Sequence, residues 1–205
     1  MTPRHYTPRK RKEAVDTGRD RILEAAHELL VGSDDEPFSV EAVAKRAGVS
    51  RMTVYNQFDS KAGLLEGLFD LIGAKGPIKR MPEVFAEPDP RKALDLFIET
   101  MGEFWTYSRR AHSKLRAAAI LDPELRVAIA TRNERRRAGL AELVRRLAKD
   151  THPVVPRAEV VDVLYVLLSF DNFDALAGDG EPRDVAPTMR KLVHAILGLE
   201  QKRAR

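Results

Sequence analysis

The sequence predicts an all-α chain, and three observations carry that reading. Apolar residues recur at spacings of three, four and seven through most of the 205 residues. No stretch sustains a strand-like alternation with β-branched enrichment, and aromatics make up only 6% of the chain. Asp89-Pro90 and Asp122-Pro123 supply the cap-then-proline order with which helices begin. About nine helices are expected. An N-terminal three-helix unit containing a helix-turn-helix precedes a C-terminal helical bundle.

Charged residues are 32% of the chain and hydrophobic residues 43%, the balance of a soluble globular protein. There is no cysteine, which excludes disulfides, thiol redox switching and thiolate metal sites. No apolar run approaches the roughly 20 residues that span a bilayer, so no membrane partner and a cytoplasmic location are expected. The net charge of +4 is uneven. Arg4, Arg9, Lys10, Arg11 and Lys12 fall before any acid, and without them 30 basic residues face 31 acidic ones. Residues 1–15 therefore read as a flexible basic arm suited to phosphates.

The first helix is expected from about Thr17 to Val31, with Ile22, Ala26, Leu29 and Leu30 inward. A helix pair follows over about 39–58. Val40, Val43 and Ala44 form the stripe of its first member. Gly48 suits the turn because it tolerates positive φ. Ser50 caps the second member, and Val54 and Phe58 return apolar contacts. Arg51, Met52, Thr53, Tyr55, Asn56 and Gln57 are left outward. A short helix offering donors, acceptors and an aromatic is what major-groove reading requires, although a small crossing residue and a turn glycine also suit any αα-hairpin.

Asp59-Ser60 caps a fourth helix, with Leu64, Leu65, Leu68, Phe69 and Ile72 inward. Residues 74–90 hold four prolines and read as the link between domains 16–76 and 77–205. Helices are then expected from Pro90 to Tyr107, Arg110 to Leu121 and Pro123 to about Lys149. The arginine run Arg132–Arg137 reads as a solvated face. The helix from about Arg157 to Leu176 is apolar nearly all round, which predicts burial on every side and hence a partner subunit. A final helix carries Val185, Met189, Leu192, Val193, Ile196, Leu197 and Leu199.

The run SVEAVAKRAGVSRMTVYNQFDSKAGLL, with an apolar helix before it, resembles the DNA-binding domain of the TetR family of transcriptional regulators. The resemblance covers about residues 16–76, and the remainder is compatible with the family. It implies a homodimer on a palindromic double-stranded DNA operator, probed by two copies of the second helix. Arg51, Met52, Thr53 and Gln57 are the candidates for base edges. Ser39, Tyr55, Asn56 and Lys61 are then expected at phosphate, with Ser50 as the cap. It also implies repression relieved by a small-molecule effector of unknown identity.

Phe97, Met101, Phe104, Trp105 and Tyr107, with Phe170 and Phe173, read either as plain core or as the wall of an effector cavity, to which His112 would add a polar contact. The family dimerises through its last two helices, which makes Val160, Val163, Leu164, Leu167, Leu192 and Ile196 the interface candidates.

No cofactor, metal site or catalytic residue is expected. His5, His27, His112, His152 and His194 are scattered, and no glycine-rich phosphate loop occurs. The competing classes are a constitutive or architectural DNA-binding protein without an effector, and a helical adaptor that docks protein.

Overall fold

The structure is a computed structural model, and it describes residues 8–32, 36–147, 151–178 and 184–199, with backbone alone over 8–16. Among these residues the chain forms ten α-helices and one 3-10 turn. They are α1 (Pro8–Val31), α2 (Val40–Ala47), α3 (Arg51–Phe58), α4 (Lys61–Lys75), α5 (Met81–Ala86), α6 (Pro90–Leu121), α7 (Pro123–Leu147), α8 (Val160–Leu167), α9 (Phe170–Ala177) and α10 (Ala186–Leu197). The all-α expectation and the helix-turn-helix unit both hold.

Helix α1 begins at Pro8, nine residues before the expected cap at Thr17. Proline suits the first helical position, and Arg9 to Ala14 are good helix formers, so nothing stops the helix there. Half of the expected flexible arm is thus helical backbone. Residues 1–7, with Arg4, lie outside the described residues, as do the side chains of Arg9 to Lys12.

The prolines of 74–90 do not make a bare linker. Pro77 opens the 3-10 turn Pro77–Arg80, and Pro82 and Pro90 lie in the first positions of α5 and α6. The expected gap near Ser108 is also closed, because α6 runs unbroken for 32 residues. Ser108 Oγ donates to the Phe104 carbonyl at 2.6 Å, the i−4 bond by which a helical serine is satisfied without ending the helix.

The all-round apolar helix is broken in two. Leu168 leaves helical geometry, and Ser169 Oγ accepts from Asn172 N at 3.3 Å to start α9. The freed Leu168 carbonyl accepts from Trp105 Nε1 at 3.2 Å and Arg136 Nη1 at 2.6 Å, so the break is satisfied by tertiary donors. Within the single chain α8 leaves Val166 57% exposed.

Two compact units result, and they do not follow chain order. One groups the described residues up to Ile72 with Arg110–Ala128; the other holds Gly73–Arg109 and the chain from Ile129. In the first, α1 packs on α2 and α3 around Ile22, Ala26, Leu29, Val43, Val54 and Phe58. The last turns of α6 and the first of α7 belong to this unit, with Ala111, Leu115 and Leu125 buried. The core of the second centres on Phe97, Ile98, Met101, Trp105, Leu140, Leu143, Leu164, Phe173, Met189 and Val193. Among the described residues no helix is long and apolar enough to cross a membrane.

Candidate nucleic-acid interface

The local chemistry of 39–63 fixes one short helix with few residues. Ser39 Oγ accepts from Ala42 N at 3.0 Å and caps α2. Gly48 ends it at φ 65°, where its N–H returns to the last carbonyls of the helix. Ser50 sits in extended geometry, and its Oγ accepts from Thr53 N at 3.1 Å. Ala44, 3% exposed, lies where the pair closes together.

Helix α3 buries Val54 and Phe58 at 1% and 4% exposure and leaves Arg51, Met52 and Asn56 exposed. Met52 is 67% exposed, a large apolar side chain held in solvent on a helix whose core contacts are already made. Thr53, Tyr55 and Gln57 are half-buried. Thr53 Oγ1 lies 2.9 Å from Ser50 Oγ, so it shares the cap. Gln57 runs beside α1, close enough that a Cβ on Gly18 would lie 3.9 Å from its Nε2. Arg51 lies 3.9 Å from Glu41, an exposed pair worth little.

The turn into α4 is tight. Asp59 holds φ 62°, the one non-glycine with positive φ among the described residues. Ser60, rather than Asp59, caps α4, with its Oγ accepting from Gly63 N at 3.0 Å. A Cβ on Gly63 would collide with the Phe58 carbonyl, and one on Gly67 would crowd Leu23 and Phe58. These two glycines, which sequence reasoning missed, let α4 approach α1 and the end of α3. Their four-residue spacing on an apolar helix was the available signal.

Lys61 is not free. Its ammonium donates to Asp122 Oδ2, and the two side chains are 19% and 21% exposed. Burial alone would raise the Asp122 carboxyl. The hydrogen bond and charge of Lys61, with the amides of Leu125 and Glu124, outweigh it and hold the group below its usual range.

This geometry can be set beside known proteins. The family model described as "Bacterial regulatory proteins, tetR family" matches residues 22–68, which span α1 to the middle of α4. The transcriptional regulator PfmR of Thermus thermophilus, a TetR-family structure, superposes over 89% of this chain and 100% of its own, with TM-score 0.56 and 26% identity.

The N-terminal domain of this chain is of the TetR family.

Among TetR-family relatives, the regulator EthR of Mycolicibacterium smegmatis is 32% identical over 123 residues, 55% of each chain. The regulator AlkX of Mycobacterium tuberculosis is 43% identical over 49 residues, 24% of this chain and 23% of its own. The chain thus spans about half, or less, of the length of these curated relatives.

The aromatic candidates of this chain do not all come together. Phe97, Met101, Trp105, Phe170 and Phe173 are buried in one core, with Phe104 packed against it. Trp105 lies 5.6 Å from Phe170 and 5.2 Å from Phe104. Tyr107 is 44% exposed, and His112 belongs to the other compact unit. Sequence reasoning missed Arg136, read as part of a solvated face. Its guanidinium lies 4.5 Å from the Tyr165 ring and 5.6 Å from Trp105, and burial lowers its pKa. Of the interface candidates, Val160 and Leu164 are buried in their own core at 2% and 0% exposure. Val163, Leu167 and Ile196 are half-buried and Leu192 is 42% exposed.

Proposed function

We propose that this protein is a sequence-specific, DNA-binding transcriptional repressor that acts as a homodimer on a palindromic operator and is released by a small-molecule effector. One observation carries the reading. The capped α3 buries Val54 and Phe58 in the core while presenting Arg51, Met52 and Asn56 to solvent. Arginine can bridge guanine N7 and O6, and a methionine can touch the thymine methyl. Asn56, expected from the sequence at phosphate, is exposed beside them and can pair with adenine, whereas the expected base readers Thr53 and Gln57 are half-buried. In this reading Ser39, Tyr55 and Lys61 serve as phosphate ligands, which set register without specifying sequence.

Val166 and Leu192, both exposed, support the dimer. They lie on α8 and α10, which pack on each other, and half-buried Val163, Leu167 and Ile196 extend the apolar strip. The aromatic core around Trp105 supports an effector of largely apolar character in the second unit. Such an effector releases DNA only if it binds the two states of the protein with different affinity.

A gel-shift of the full chain against random and genomic duplexes tests this. The proposal expects a two-fold symmetric consensus with half-sites one or more helical turns, about 34–36 Å each, apart. Equal binding to every duplex would mark an architectural protein instead. No binding at low salt would leave a protein-docking adaptor.

A further inference from the structure

In the Lys61–Asp122 ion pair the carboxylate is fixed from both sides. Asp122 Oδ1 accepts from Glu124 N at 3.1 Å and Leu125 N at 3.2 Å, capping α7, while Oδ2 holds the Lys61 ammonium. Lys61 is the first residue of α4, where the positive end of the helix dipole disfavours a cation unless a carboxylate offsets it. A second tie lies nearby in sequence. Lys114 Nζ donates to the Leu29 and Gly32 carbonyls at 2.9 and 3.1 Å, at the C-terminal end of α1. The corner where α6 gives way to α7 is therefore clasped at two points to helices of the same compact unit.

A DNA phosphate at Lys61 meets a cation already neutralised by a carboxylate. The phosphate must displace Asp122 or share the ammonium with it, and the acid repels the phosphate in either case. We propose that Asp122 is a built-in acidic competitor for Lys61: it holds operator affinity down, and DNA binding and the closed α6–α7 clasp oppose each other. This inference rests on the DNA-binding reading above. The coupling is reciprocal, so whatever tightens the clasp weakens DNA binding by the same factor.

Asparagine separates the competing role from a structural one. It caps a helix about as well as aspartate but carries no charge. Fluorescence anisotropy of the full chain on its selected duplex, across a salt series, reads the result. Asp122→Asn should bind about three- to fivefold tighter, the range a partly exposed charge pair carries, with a steeper salt dependence, while its thermal stability falls. Lys61→Ala should bind more weakly, with the salt slope reduced by about one. In the double variant the gain from Asp122→Asn should vanish. Asp122→Ser, which also caps without charge, replaces Asp122→Asn if the latter loses its helical signal.

Unchanged or weaker binding by a folded Asp122→Asn overturns the proposal. So does an equal gain in the Lys61→Ala background, which would mark a general charge effect. If neither wild type nor any variant binds duplex at low salt, the DNA-binding reading fails too. Binding by wild type with no gain on substitution overturns the competitor alone.

Discussion

Arg19 on α1 lies with its guanidinium 4.1 Å from the centroid of the Phe58 ring and donates from Nη1 to the Gln57 carbonyl at 2.7 Å. One planar cation thereby fixes the last turn of α3 against α1. It supplies a donor to a carbonyl that α3 itself leaves unpaired. The packing of α3 against α1 thus uses this contact together with buried Val54 and Phe58.

Replacing Arg19 with Ala should lower stability by about 1–3 kcal/mol, the range for a charge-assisted hydrogen bond with a cation–π contact. Arg19→Lys should not restore it, because an ammonium cannot stack its plane on the ring while reaching the carbonyl. Urea unfolding of the three proteins checks this. Equal stability of the lysine variant and wild type would show that charge alone is needed.

Two glycines should respond differently to alanine. At Gly48 no atom lies within 4 Å of an added Cβ, so the cost is only that of φ 65°, about 1–2 kcal/mol. At Gly63 the Cβ meets the backbone carbonyl of Phe58, which cannot rotate away. Gly63→Ala should therefore be the more damaging, and it should also reduce DNA binding by shifting α3 relative to α4. Thermal melts rank the pair.

Trp105 is the single tryptophan of the chain, 4% exposed, with Nε1 bonded to the Leu168 carbonyl. Its emission reports on the core of the second unit without labelling. Apolar small molecules that bind there should shift or quench it, and the same molecules should release DNA. Arg136→Ala should destabilise this unit by about 1–3 kcal/mol, since the Leu168 carbonyl loses its charged donor. Arg136→Met should cost less, because it keeps packing against Tyr165 and removes a desolvated charge.

The Asp122 carboxyl gives a pH dependence. Its folded value is lowered from the usual 3.8, so folding favours the charged form. The stability it contributes is complete above the unfolded pKa and is lost as pH falls through the lowered folded value. The stability difference between wild type and Asp122→Asn should be constant from about pH 7 to 5 and narrow below about pH 4. A difference that stays constant down to about pH 2 would show that the charge plays no part.

The helix-turn-helix was legible because its determinants are local. A capping serine, a turn glycine and a four-residue apolar spacing act within about ten positions of one another, as Ser50, Gly48 and the Val54–Phe58 pair do. What was not legible depends on partners far along the chain. The break at Leu168 is stabilised by donors 63 and 32 residues away, on Trp105 and Arg136. The Lys61–Asp122 pair spans 61 positions. Arg136 looked like one of several solvated arginines because periodicity cannot show that an aromatic pair on two other helices shelters it. The continuous α6 was expected as two helices split between Tyr107 and Arg110, where Ser108 instead bonds to the Phe104 carbonyl within one helix.

Selection of bound sequences from a random duplex library, with wild type and with Arg51→Ala, tests most directly whether α3 reads bases. A DNA-reading α3 predicts that wild type enriches a two-fold symmetric consensus. Arg51→Ala should relax one symmetric pair of positions in it and leave the others unchanged. The contradicting result is a wild-type library enriched for no sequence, or one consensus shared by wild type, Arg51→Ala, Met52→Ala and Asn56→Ala.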